Sequence, residues 1–224
     1  MDVSGIDACR RGWVAVSLTD GVVTDVRVAA ALTSLLADDP GRGEITGIDM
    51  PLGLLETGWR LADRLAAGLL GPRRSSVFPI PPRPVWLQEG YAAANQLCRD
   101  LTSRGFSAQA WGLRAKLLEA DECRERSERG DQRLYEVHPE LAFSAMAGAP
   151  LLESKHTPEG RERRRKLLAE QGIVIPAGST APLADVLDAA AVAWSAHRIA
   201  TGSAVVIPDP PQLDDRGREI TIRY

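Results

Sequence analysis

The sequence predicts an α/β domain built on a mixed β-sheet, and three observations point there. A tripeptide occurs twice, as Gly5-Ile6-Asp7 and Gly47-Ile48-Asp49, each time closing a short β-prone run. The core must be mostly Ala, Leu, Val and Ile, because hydrophobic residues make up 44% of the 224 and aromatics only 5%. That composition suits helices layered on a sheet. The first fifty residues, finally, read in the order β-β-β-α-β, and the length fits one large domain, with room for an insertion.

Val3 to Asp7 reads as strand 1 and Trp13 to Leu18 as strand 2. Asp20-Gly21 is a hairpin signal that leads into strand 3, Val22 to Val28. Ala29 to Ala37 is a short helix, Asp38-Asp39-Pro40-Gly41 breaks it, and strand 4 runs into Asp49. A right-handed crossover sets strand 4 parallel beside strand 1, which makes Asp7 and Asp49 neighbours at one end of the sheet. Residues 50–133 read as a helical insertion, interrupted by Gly71 to Pro84, whose five prolines exclude helix and strand interiors. Leu134 to His138 is strand 5, and a very polar helix follows Thr157-Pro158. The last helix spans Ala181 to Ala200, with Ser179 or Thr180 to cap it, Pro182 in its first turn and Gly202 to end it. Residues 204–207 and 220–222 form a closing strand pair.

Net charge is −3 and the pI about 5.7, which argues against holding nucleic acid by bulk electrostatics. It does not argue against a metal nuclease, whose site itself contributes negative charge. The N-terminus lacks a basic and an apolar signal region, and no apolar run is long enough to span a bilayer. Cys9, Cys98 and Cys123 are far apart, with no Cys-x-x-Cys, and read as free thiols. The expected location is cytoplasmic, with no membrane partner; the sequence is silent on oligomeric state.

Two carboxylates at adjacent strand ends raise each other's pKa unless a cation sits between them. The pair therefore points to a divalent metal, and the metal to phosphate chemistry. The plainer alternative is two unrelated strand-end aspartates, each starting a turn. Further acids extend the pattern. Glu136 sits inside a strand-like run, where an isolated carboxylate is out of place in a core. Asp185 and Asp188, three apart, share a face of the last helix beside an apolar stripe.

Several segments together resemble a known family. They are Gly-Ile-Asp-Ala-Cys-Arg-Arg-Gly-Trp (5–13), Ile-Asp-Met-Pro-Leu-Gly-Leu (48–54), Arg-Arg-Ser-Ser-Val-Phe-Pro (73–79), Glu-Val-His-Pro-Glu (136–140), Ser-Lys-His-Thr-Pro-Glu-Gly-Arg (154–161) and Ala-Asp-Val-Leu-Asp-Ala-Ala-Ala (184–191). In this order they resemble a domain-of-unknown-function family of predicted nucleases with an RNase H-like fold. The resemblance implies a mixed five-stranded core sheet flanked by helices, a helical insertion between strands 4 and 5, and a C-terminal strand pair. It also implies an acidic site of Asp7, Asp49, Glu136 and an acid of the last helix. The family often has two adjacent acids before Val-Leu-Asp; here the first is Ala184, so Asp185 and Asp188 both stand as fourth ligand.

The expected chemistry is hydrolysis of nucleic-acid phosphodiester bonds with two Mg²⁺ or Mn²⁺ ions about 3.5–4 Å apart. Asp7 would bridge them, with Asp49, Glu136 and Asp188 completing the site. Candidate phosphate contacts are Arg10 and Arg11 in the turn after Asp7, Arg73 and Arg74 with Ser75 and Ser76 before the proline loop, Lys116 and Lys155. Each has an ordinary surface role as its alternative. His138, two residues from Glu136, shares its strand face and is a candidate auxiliary group. Ser75 and Ser76 lack a Gly-x-Ser-x-Gly elbow, which argues against a serine hydrolase. Two rival functions stay open: a nucleotide-binding phosphotransferase of the actin and sugar-kinase superfamily, and an inert nucleic-acid or protein-binding module. The first needs a glycine-rich phosphate turn after Asp7, where this chain has the bulky, basic Ala8-Cys9-Arg10-Arg11-Gly12.

Overall fold

A computed structural model describes residues 1–37, 45–127 and 133–224. The expected chain break at Asp38 to Gly41 lies outside them. Strands β1 (Asp2–Cys9), β2 (Gly12–Thr19) and β3 (Val22–Ala29) form an antiparallel meander, with Asp20 and Gly21 at positive φ in the second turn. Helix α1 (Leu32–Ala37) precedes β4 (Ile45–Ile48), which lies parallel to β1. Strand β5 (Arg133–Glu136) lies parallel to β4, so the sheet order is β3-β2-β1-β4-β5. The α/β class and the mixed five-stranded sheet are as the sequence led one to expect.

Between β4 and β5 lie α2 (Leu61–Leu70), a 3₁₀ turn (Gly71–Ser76), α3 (Arg83–Trp86), α4 (Tyr91–Thr102), α5 (Ala108–Trp111) and α6 (Arg114–Ser127). After β5 come α7 (Pro139–Ala147), α8 (Pro158–Glu170), α9 (Leu183–Ala200) and the hairpin of β6 (Val206–Leu213) and β7 (Glu219–Arg223). Part of the proline-rich loop is therefore 3₁₀ and α-helical, because Pro72 and Pro84 sit at the first positions of short helices, where no amide donor is needed. The caps of α9 differ from expectation as well: Pro182 is the N-cap, and the Ser179 hydroxyl instead accepts the Ala181 amide at 3.2 Å.

Side chains alternate across the sheet and feed two cores. Val3, Val14, Val16 and Leu18 face a layer made of α7, α8 and α9. Ile6, Trp13, Ala15 and Ile48 face the opposite layer, made of α1 and the insertion helices α3 to α6. The insertion is thus one of the two helical layers that bury the sheet. A third cluster joins α2 to Leu141, Ile220 and Ile222 of the C-terminal hairpin. No helix among the described residues is long and apolar enough to cross a membrane.

Candidate active site

The repeated Gly-Ile-Asp has a structural reason in both copies. In β1 and β4 the isoleucines face the insertion layer, so the glycines and aspartates on either side face α9. A Cβ at Gly5 would lie 2.0 Å from the Ala193 amide nitrogen and 2.3 Å from the Ala189 carbonyl oxygen. One at Gly47 would lie 2.8 Å from Val192 Cγ1. Only glycine lets α9 come this near. Two residues along a strand advance about 6.7 Å, close to the roughly 6 Å of four residues of helix. The aspartates that follow the glycines therefore meet α9 one turn before Val192, at Asp188.

Asp49 donates its amide to the Ile6 carbonyl at 2.8 Å, continuing the β1–β4 ladder by one step. The carboxyls of Asp7 and Asp49 lie near enough to shift each other's proton affinity. Two like charges so near disfavour the doubly ionised pair. Burial pushes the Asp7 carboxyl well above its usual range, with the charges of Asp49 and Asp188 adding to the effect. Burial raises Asp49 too, against the opposing pull of His138 and Lys155. Asp188, 1% exposed, is pushed up to about 6 by burial, although Lys155 beside it favours the carboxylate. Lys155 Nζ donates to Asp188 Oδ2, while Asp188 Oδ1 has no partner. The surrounding carboxylates hold Lys155 charged to higher pH than a free lysine, against its burial.

These groups open on a cavity of about 420 Å³. Asp7, Asp49, Asp185, Asp188, Lys155, His138, Arg73, Ser75 and Ser76 all border it, so the structure brings these expected residues together. Asp185, half-buried, is one turn nearer the start of α9 than Asp188. The His138 Nε2 lies 3.3 Å from the Ser76 carbonyl, and its Nδ1 is buried without a partner.

Glu136 stands apart from the aspartates. It also borders the cavity, but it pairs with Ile48 rather than with Asp49, which turns it to the face opposite the aspartates. There Arg60 Nη2 donates to both its oxygens, at 2.5 and 2.6 Å, and Oε2 also accepts the Leu52 amide at 2.7 Å. Arg60 is 1% exposed and has Asp63 as a second counter-charge, Nε to Oδ1 at 3.5 Å. Burial lifts the Glu136 carboxyl to about 7 in spite of the guanidinium. The strand-face argument for His138 lapses with it, since β5 ends at Glu136 and His138 caps α7.

Glu140, which sequence reasoning missed, does lie by the aspartates. Its charge is felt by both Asp49 and Asp188. One oxygen accepts from Arg164 Nη2 at 2.7 Å, with Arg73 at 3.7 Å, and the other, buried, has no partner. The available signal was the second acid of Glu-Val-His-Pro-Glu, directly after a helix-starting proline. Arg60 gave no signal, as a lone arginine before an ordinary helix.

Arg10, Arg11, Arg74 and Lys116 do not border the cavity. Arg10 and Arg11 are exposed in the β1–β2 turn. Lys116 donates to the Gly12 carbonyl and lies 4.4 Å from the centre of the Trp13 ring, which fastens α6 to that turn.

Among the described residues, no group of three or more His, Cys, Asp and Glu is disposed to hold a metal ion. In the present arrangement the ammonium group of Lys155 neutralises Asp188. The donor chemistry nonetheless suits a hard divalent cation: several carboxylates border one cavity, and Asp188 Oδ1 and Glu140 Oε2 are unpartnered.

The family described as Protein of unknown function (DUF429) matches residues 5–213. The chain belongs to that family. Its match takes in β1 from Gly5 onward, the other four strands of the main sheet and every carboxylate of the cavity. Neither the curated proteins nor the solved structures gave a match.

Proposed function

We propose that this DUF429 protein hydrolyses phosphodiester bonds of nucleic acid with the help of Mg²⁺ or Mn²⁺. The observation that carries the reading is the buried Asp7–Asp49 pair, each shifting the other, with Asp188 on the same cavity, which Lys155 and Arg73 rim. Clustered buried carboxylates are costly without a cation, and their retention is what a metal-dependent site requires. Asp7, Asp49 and Asp188 would hold the ion, with Asp185 and Glu140 as the remaining carboxylates on the cavity. A bound divalent ion would supply Lewis acidity and a water of lowered pKa. Lys155, kept charged by its neighbours, is suited to neutralise a phosphate oxygen, and Arg73 to fix a second. His138, with its unpartnered Nδ1, can hold a proton near the leaving oxygen. The turn Ala8 to Gly12 has little of the glycine that a nucleotide-phosphate turn needs, which disfavours phosphoryl transfer.

The test is cleavage and binding measured side by side on single-stranded, duplex, hybrid and branched substrates. Cleavage is expected with Mg²⁺ or Mn²⁺ and only weakly with Ca²⁺, whose looser shell misplaces the attacking water. Asp49→Asn should lose cleavage and retain binding. Binding without cleavage on every substrate would identify an inert module. Tight ATP binding with no affinity for nucleic acid would identify a phosphotransferase.

A further inference from the structure

A second cavity, of about 500 Å³, adjoins the acidic one and shares Phe78 and Gln109 with it. Its lining is of the opposite character. No carboxylate borders it, whereas Arg99 and Arg104 do, and aromatics that are scarce in the chain gather here as Trp59, Phe78, Tyr91 and Phe106. We propose that this cavity is a nucleobase subsite, and that the substrate is accordingly a single-stranded or frayed nucleic acid. The proposal rests on the phosphodiesterase reading of the acidic cavity.

The wall is built in advance of any ligand. Phe106 sits edge-on to both Tyr91 and Trp86, with ring centres 5.7 and 5.6 Å away. The Tyr91 hydroxyl donates to the Phe106 carbonyl at 2.7 Å, and Asn95 Oδ1 accepts the Phe106 amide at 3.0 Å. Tyr91 and Asn95 are therefore occupied in holding the wall. The groups left over are those that suit a nucleotide. Arg99 and Arg104 are exposed and neither has a carboxylate partner among the described residues, where sixteen other ionic contacts are made. Arg104 lies 5.9 Å from the centre of the Trp59 ring, which sets a guanidinium beside a stacking surface. Gln109, on the ridge between the cavities, has an amide with no hydrogen bond among the described residues and offers a donor and an acceptor to a base edge.

A polynucleotide carries a flat apolar base and an anionic phosphate in every unit. One cavity can stack the base while its arginines hold a phosphate, and the next presents carboxylates, Lys155 and Arg73 to the adjoining phosphodiester. Bases inside a duplex are stacked on one another and cannot enter such a pocket without first leaving the helix.

The test measures binding of a labelled ten-nucleotide DNA or RNA single strand, and of the matching duplex, to the full chain in EDTA. The single strand should bind at least about 10-fold more tightly than the duplex. Trp59→Ala should weaken it by about 10-fold, as loss of one base–aromatic stack does, and Trp59→Phe should restore most of that. The Arg99→Ala, Arg104→Ala double variant, altered only at exposed positions, should bind more weakly, with the slope of log affinity against log salt shallower by about 1.4. Equal affinity for duplex and single strand, or affinity and salt slope unchanged in the arginine variant, would overturn the subsite. So would no oligonucleotide binding at all. The two readings fail separately: metal-dependent cleavage that prefers duplex and ignores Arg99 and Arg104 removes the subsite alone, whereas single-strand binding with these signatures and no cleavage in any metal supports the subsite and removes the hydrolase.

Discussion

Glu136 and Asp188 are both buried acids next to a cation, yet their partners give them different work. Arg60 cannot lose its proton and is sealed in, so it draws its counter-charge from Glu136 and from Asp63. Glu136→Gln should cost on the order of 3 kcal/mol in urea unfolding, because a buried charge loses a partner and only Asp63 remains. Its thermal shift with Mn²⁺ should persist; loss of that shift at unchanged stability would make Glu136 a ligand after all. Asp7→Asn and Asp49→Asn should behave the other way, abolishing the Mn²⁺ shift that ligand binding imposes on the melting temperature, with no loss of apo stability. Protonation follows from the same crowding. Asp188 moves from 3.8 to about 6 and Asp7 moves upward as well, so the native state binds protons more tightly than the unfolded chain. Stability from these groups is fully present below about 4 and is lost as pH rises through about 6. The metal-free protein should accordingly melt higher at pH 5 than at pH 7.5, and Asp188→Asn should flatten that difference.

At the level of elements, the site depends on how near α9 comes to β1 and β4. Gly5 meets helix backbone at 2.0 Å, whereas Gly47 meets a Val192 methyl at 2.8 Å and the Val192 carbonyl only at 3.1 Å, a milder overlap. Gly5→Ala should destabilise by about 3 kcal/mol or more and Gly47→Ala by about 1 kcal/mol, the range expected for overpacking. Thermal melts of the two variants check the order; a milder Gly5→Ala would mean that α9 is held less firmly than its contacts imply. The alanines of α9 serve the same end, since Ala189, Ala190, Ala193 and Ala196 are fully buried against the sheet layer. A larger residue on that face would lift the helix and carry Asp188 away from Asp7.

Across the whole molecule, the sheet is held between two helical layers that come from different parts of the chain. Glu119 of α6 ties the insertion to the meander: Oε2 accepts the Trp13 indole N–H at 2.9 Å and Oε1 accepts the Leu32 amide at 2.5 Å. Removing this carboxylate strands two donors, one of them at the start of α1. Glu119→Ala should lower stability by about 2 kcal/mol while leaving the Mn²⁺ shift intact, because the acidic cavity lies on other contacts. A Mn²⁺ response lost in this variant would show that the insertion positions the acids as well as covering the sheet.

The strands, the α/β class and the aspartate pair were legible in the sequence because each rests on local pattern. Period-two alternation, a hairpin signal and a twice-used Gly-Ile-Asp suffice to put Asp7 and Asp49 side by side, given the handedness of the crossover. Register was not legible. Moving a strand by one residue reverses every side chain, and the pairing of Ile48 with Glu136 is what turned Glu136 toward Arg60 and left Glu140 near Asp49 and Asp188. Nor could the sequence choose the role of Lys116 or Lys155, which differ only in what folds against them: a carbonyl and an indole ring for one, an aspartate for the other. The sequence by itself determined which residues carry charge and which segments form the strands of the sheet. Only the tertiary structure decided which charges meet, because burial and partnership come from segments distant along the chain.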